Sequence, residues 1–256
     1  MTTSHSPGAL KGHTAFPAPN SREWNVSLLN SPAGNARYGG DWCDALAVSD
    51  DALALTIGDV SGRGESAAET MEIMRAAVLS NIDENAQPSE VLSVANTVAY
   101  SRRSGLIVTA IVAILNRRRR TLTFANAGHP APLIMTPSLH GFLAQDVGDL
   151  PLGIFPKHRA ADYVVALPTD ALIVLYTDGV TEHERDILRG ERALVEACRA
   201  AYDGHVPDLA TAIAEHVFQE CRGHDDAAVT ALRELPKLRS APNTKRVARV
   251  EQTFSH

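Results

Sequence analysis

Long apolar runs are absent from this sequence of 256 residues: the longest, "LIVTAIVAIL" from Leu106, ends after ten, well short of the roughly 18 that span a bilayer. No contact with membrane is expected. The first residues, "MTTSHSPGALKGHTAFPAPNS", have no continuous apolar core, so no secretory signal is expected either. Cysteine is scarce. Cys43, Cys198 and Cys221 are odd in number and widely spaced, which excludes a disulfide framework and a Cys-rich zinc site and fits a reducing cytoplasm. Excess positive charge is also lacking. A net charge of -6 gives no reason to expect nucleic acid as a partner, and "NRRRR" at Asn116 to Arg120 is the one local exception.

What is present is material for one sheet-rich domain. Residues 1–21, rich in Pro, Gly, Ser and His, read as a disordered arm, and 236–256 as a basic tail. Between them, in 22–235, nine short apolar or alternating runs ("WNVSLL", "ALAVS", "ALALTIG", "LIVTAIVAIL", "TLTFANA", "APLIM", "DYVVAL", "ALIVLYT", "AAVTAL") carry the strand signature. Helical spacing shows at Ala67, Met71, Met74 and Val78, at Val91, Ala95 and Val98, and at Leu209, Ile213 and Val217. Helices fall between runs of strands, and do not alternate singly with them. The fold class is therefore α+β with antiparallel pairing.

The acids carry the chemistry. Asp41 stands where a strand begins in "YGGDWCDAL", Asp59 ends "ALALTIGD", Asp178 ends "ALIVLYTD", and Asp225 with Asp226 precede "AAVTAL". Any one of them reads equally as a turn residue or a helix cap. Four strand ends with carboxylates, three of them near glycine, suggest a shared cation, because buried acids without partners cost several kcal/mol or stay protonated. After Asp59 the chain runs "VSGRGESAAE": a glycine turn opens into a helix whose N-terminus favours an anion. An acid there needs a positive charge beside it. With no cluster of Cys or His, the oxygen donors point to Mg²⁺ or Mn²⁺.

"GGDWCD", "IGDVSGRGESAAE", "ANAGHPAPL", "PLGI", "YTDGVTE" and "DDAAVTAL" occur in order over about residues 22–234. Together they resemble the bacterial SpoIIE-like, RsbU-type branch of the PPM metal-dependent protein serine/threonine phosphatases. The resemblance implies an antiparallel β-sandwich flanked by helix pairs, in α-β-β-α layers, with two Mn²⁺ or Mg²⁺ ions per active site. By motif position Asp59 would bridge both ions, Asp41 and the Val60 carbonyl would serve the first, and Asp178 and Asp225 the second, with Asp44 and Asp226 as outer candidates. Phosphomonoester hydrolysis by activated water, without a covalent phosphoenzyme, is the implied chemistry.

Two departures bear on that implication. Eukaryotic relatives carry a histidine two places after the bridging aspartate, usually assigned to protonating the leaving alkoxide, where this chain has Ser61; the general acid is left open, with His129 of "NAGHP" either that group or turn scaffolding. The phosphate-binding arginine of those relatives has no clear counterpart either, Arg37 and Arg63 being the two within reach. The implied substrate is a phosphoserine or phosphothreonine protein of the partner-switching type, a STAS-type antagonist of an anti-sigma factor. It would be selected by the linker from Thr136 to Pro156 or by the tip at Arg117 to Arg120, which reads otherwise as a solvated hairpin turn. About twenty residues precede the domain, so a separate activating sensor protein is expected, docking on the helices from Glu65 to Arg103. The alternative reading is a pseudophosphatase, a binding module that has kept the fold and lost the chemistry.

Overall fold

The computed structural model describes residues 12–16, 24–33, 39–138, 140–143, 150–158, 160–182, 186–204, 206–218 and 225–234. Two antiparallel sheets form its centre. One has the strand order β1 (Gly12–Phe16), β2 (Trp24–Ser31), β11 (Ala227–Glu234), β10 (Leu172–Tyr176), β7 (Leu133–Met135), β8 (His140–Phe142). The other runs β3 (Trp42–Ser49), β4 (Ala52–Val60), β5 (Val108–Asn116), β6 (Thr121–Ala127), β9 (Tyr163–Ala166). All nine expected strands are present; β1 and β8 are the additions. Gly12–Phe16 pairs along β2 and so departs from the expected arm, because the edge of β2 offers backbone groups that an extended segment can satisfy. The rest of 1–21, and the tail at 236–256, lie outside the described residues.

The period of two along the strands explains the layering. On β5, Ile111, Ala113 and Leu115 face the space between the sheets with Leu53, Leu55, Phe124, Ile173 and Leu175. The alternate residues Val108, Ala110 and Val112 face outward. There they meet Met71, Met74 and Val78 of α1 (Glu65–Leu79) and Val91, Leu92 and Ala95 of α2 (Pro88–Arg102). On β10, Leu172, Val174 and Tyr176 likewise meet α3 (Ile187–Asp203) and α4 (Leu209–Val217). Strands buried on both faces must be apolar throughout, which is why "LIVLY" shows no alternation. The α-β-β-α layering follows.

The helix α3 has no counterpart among the three helical faces named above. Its apolar face is Leu194, Ala197, Cys198 and Ala201, and Asp186 caps it by accepting a hydrogen bond from the Arg189 N–H at 3.2 Å. The arginine tip also differs from a solvated turn. Arg117 is buried, its Nη2 donating to the Asp50 carbonyl at 2.6 Å, and Arg120 pairs with Glu234 and the Pro168 carbonyl. Since β5 runs nine residues from Val108 to the tip, those arginines stand about 27 Å from the Val108 end.

Candidate active site

Antiparallel pairing gathers the acids. Trp42 pairs with Gly58, so Asp41 at the start of β3 and Asp59 near the end of β4 share one sheet edge. Tyr176 pairs with Val229, which brings Asp178 and Asp225 together at the same end of the facing sheet. The sheets are joined there by Thr177: its hydroxyl donates to Asp41 Oδ2 at 2.7 Å and accepts the Ala228 N–H at 2.8 Å. Thr177 lies inside the motif "YTDGVTE", of which only Asp178 was given a role.

Proximity leaves its mark on the acids. Burial, and then the charge of Asp59, push the Asp41 carboxyl up to about 9 against the opposing Thr177 hydrogen bond. Burial also raises Asp59, with the charges of Asp225 and Asp226 adding to it, while a hydrogen bond shared with Asp41 opposes the rise. Burial raises Asp178 to about 6, helped by the charges of Asp59, Glu182 and Asp225. Among the described residues no three such side chains yet stand at ligand spacing. Asp41 Oδ2 accepts from Thr177, and Asp225 turns to Arg63, whose Nη2 lies 3.3 Å away.

The outer acids have structural work. Asp226 accepts the Ala33 and Gly40 N–H groups, each at 2.6 Å, and so fixes the segment that delivers Asp41. A Cβ on Gly39 would fall 2.5 Å from the Asp226 carboxyl carbon, and one on Gly40 2.5 Å from the Val60 oxygen. Both positions need glycine for this close approach. Asp44 is held away from the centre by Arg75 of α1, through bonds of 2.6 and 2.8 Å. Ser61, at the position of the eukaryotic histidine, uses its hydroxyl to accept the Ile107 N–H at 2.8 Å. Arg37 lies outside the described residues. Burial pushes the thiols of Cys43 and Cys198 up to about 12, which leaves neither a nucleophile at neutral pH.

His129 is tied into the turn after β6. Its Nδ1 lies 2.9 Å from Thr109 Oγ1, its N–H donates to Asn126 Oδ1 at 2.7 Å, and its carbonyl accepts from Asn126 Nδ2 at 2.8 Å. Burial lowers the imidazole from 6.5 to about 3, the Tyr176 backbone opposing, so the ring is uncharged at neutral pH. A depressed histidine lends stability that is present above pH 6.5 and lost as pH falls toward the folded value of about 3. His129→Gln removes that dependence. Urea unfolding should show the stability gap between wild type and variant narrowing by about 2 kcal/mol from pH 6.5 to about 5. A gap that stays constant would mean that the folded protein protonates His129 freely.

Paired antiparallel sheets between helix pairs, with acids collected at one edge, define the class: this is a PP2C-like phosphatase fold. The chain belongs to the Stage II sporulation protein E (SpoIIE) family, whose family model matches residues 49–234. It is 26% identical over 201 residues to phosphoserine phosphatase RsbU of Bacillus subtilis, an alignment covering 72% of this chain and 56% of RsbU. The chain thus spans about half the length of that relative. Among solved structures, the RsbU and RsbW domains of Rv1364c from Mycobacterium tuberculosis superpose with a TM-score of 0.75 at 24% identity, over 88% of this chain and 64% of that one. The catalytic domain of the serine/threonine phosphatase PstP, in complex with two manganese ions, gives 0.63 at 12% identity, over 83% and 99%. Among the described residues no helix is long and apolar enough to cross a membrane.

Proposed function

We propose that this chain is a divalent-metal-dependent phosphatase that releases phosphate from phosphoserine or phosphothreonine on a regulatory protein of the partner-switching type. One observation carries it. Four strand-end carboxylates converge from two sheets, three with raised proton affinity, and among the described residues Arg63 is the basic side chain paired with one of them, Asp225. Such a donor set fits a hard divalent ion, since oxygen ligands of high charge density suit Mg²⁺ and Mn²⁺. Asp59 would touch both ions, Asp41 and the Val60 carbonyl the first, Asp178 and Asp225 the second. Bound there, the ions supply Lewis acidity and a hydroxide nucleophile at neutral pH.

The remaining groups orient and hold. Thr177 fixes the rotamer of Asp41, and Asp226 fixes the backbone that carries it. Arg63, whose Nη2 lies 3.3 Å from Asp225 Oδ2, would offer its guanidinium to the phosphoryl oxygens. The substrate likeness rests on RsbU, a phosphoserine phosphatase by name, and on the pairing of RsbU and RsbW domains in Rv1364c. Control falls naturally on α1, which starts right after the Gly62–Gly64 turn and grips β3 through Arg75 and Asp44. A separate activator seated on α1 and α2 would shift the Val60 carbonyl.

The test is phosphate release from an aryl phosphate and from a phosphoserine-bearing antagonist protein, with Mn²⁺ titrated from a chelator-treated sample. Metal-dependent turnover is expected, at high Mn²⁺ demand. Metal-independent turnover would refute the metal mechanism, and inactivity on both substrates would leave the fold as a binding module. Saturation at micromolar Mn²⁺ without a partner would remove the need for an activator.

A further inference from the structure

We propose that the exposed apolar side chains of Ile107, Leu150, Ile154 and Phe155 form a docking shelf for the folded body of the phosphorylated protein, held beside the acidic centre by Asn96. The proposal rests on the phosphatase reading and adds where the substrate's body sits. A continuous series of backbone bonds leads from the site to the shelf. Val60 pairs with Val108, and Ser61 binds Ile107 twice, its N–H donating to the Ile107 carbonyl and its hydroxyl accepting the Ile107 N–H, both at 2.8 Å. Next outward, the Leu152 N–H donates to the Val108 carbonyl at 2.8 Å, which places Gly153 beside Ile107. Asn96, buried on α2, then closes the series: its Nδ2 donates to the Phe155 carbonyl at 3.0 Å, and its Oδ1 accepts the Gly153 N–H at 2.9 Å.

The loop at 150–155 is therefore pinned by its backbone while its large side chains face solvent. Ile107 is 48% exposed, Leu150 51%, Ile154 43% and Phe155 55%. One exposed apolar side chain needs no explanation, but several on adjoining, fixed segments mark an interaction surface. The pinning matters because a pre-ordered surface loses little entropy on binding. Its position selects the occupant. A phosphoserine side chain is short, so a protein that presents it to the acids must lay its own backbone on the rim, and its body then covers whatever adjoins Val60 and Ser61. A short peptide or an aryl phosphate reaches the acids without covering the shelf.

Phe155→Ser, Ile154→Ser and the double variant test this, each checked for an unchanged cooperative melt. The substrates are a phosphoserine-bearing STAS-type domain, a phosphopeptide of the same local sequence, and p-nitrophenyl phosphate, all at saturating Mn²⁺. The double variant is expected to lower kcat/KM on the folded phosphoprotein about tenfold or more, mainly through KM, as loss of a central apolar contact does. Peptide and aryl phosphate should stay within about twofold, because neither buries the shelf. Equal losses on all three substrates, or none, overturn the shelf. So does a wild type no faster on the folded domain than on its peptide. If sedimentation shows wild type dimeric and the variant monomeric with unchanged substrate ratios, the shelf joins two copies of this chain. Should wild type hydrolyse none of the three, the phosphatase reading itself fails, a result distinct from all the others.

Discussion

Asp59→Asn is expected to abolish metal-dependent phosphate release, by about a thousandfold or more, while the metal-free protein melts at a higher temperature than wild type. The first half follows from position. Asp59 is the acid whose charge bears on both halves of the site, raising the proton affinity of both Asp41 and Asp178. Loss of the carboxylate proposed to serve both ions would remove several kcal/mol of charge stabilisation, and each 1.4 kcal/mol or so is tenfold in rate. Asp178→Asn, which removes a proposed ligand of one ion only, should fall in the same direction and melt cooperatively.

The second half follows from the direction of the shifts. Asp41 rises from 3.8 to about 9, and Asp59 rises too, so the folded chain holds protons that the unfolded chain has released. Stability of the metal-free protein is accordingly greatest below the unfolded value near 3.8 and declines as pH rises toward 9. An amide at position 59 has no charge to oppose ionisation of Asp41, and the decline should become shallower. Thermal melts of chelator-treated wild type and Asp59→Asn between about pH 5 and 9 check this, with Mn²⁺ raising the wild-type melt and leaving the variant's nearly unmoved. A variant that melts lower than wild type across the range, or still gains stability from Mn²⁺, would break the link between these acids and the cation.

How much of this was visible in the residues depends on the reach of each interaction. All nine expected strands were legible because a period of two, or an apolar run bounded by Gly, Pro and Asp, is a local signal. The four acids were legible because strand ends are local too. Helix α3 was less so. The spacing of Leu194, Ala197, Cys198 and Ala201 after Asp186 carries a helical signal that was not among the expected faces, and Gly190 in the first turn, where the helix backs onto the Thr181 carbonyl, weakens it. Thr177 could not be read, since its role comes from Asp41, 136 positions away. The arginine tip misled for the same reason: Arg120 is anchored by Pro168 and Glu234, 48 and 114 positions on. Of the adjacent pair, Asp225 faces outward to Arg63 while Asp226 clamps backbone, a division of labour that only the tertiary contacts decide.

Gly40→Ala should raise the Mn²⁺ concentration needed for half-maximal activity about 10- to 100-fold, the usual cost of disturbing a group that positions a ligand, while the fold survives. Gly40 holds no acid, yet it touches every part of the first ion's proposed shell. Its carbonyl accepts the Val60 N–H at 3.1 Å, its N–H donates to Asp226, and Asp41 follows it in the chain. A Cβ there would meet the Val60 oxygen at 2.5 Å and Asp59 Oδ1 at 3.5 Å. The carboxylate contact is ordinary; the carbonyl contact is not, and the carbonyl is backbone that cannot rotate away alone. The Val60 peptide must tilt, which would turn its oxygen away from the proposed metal position and leave the carboxylates in place. The defect should therefore appear as metal affinity, with kcat largely recovered at high Mn²⁺, in contrast to Asp59→Asn, which excess metal does not rescue. Activity against Mn²⁺ concentration, together with the Mn²⁺-induced rise in melting temperature, reads both quantities. If Gly40→Ala binds Mn²⁺ as tightly as wild type, the Val60 carbonyl is not a ligand, and the first ion must be held by carboxylates alone.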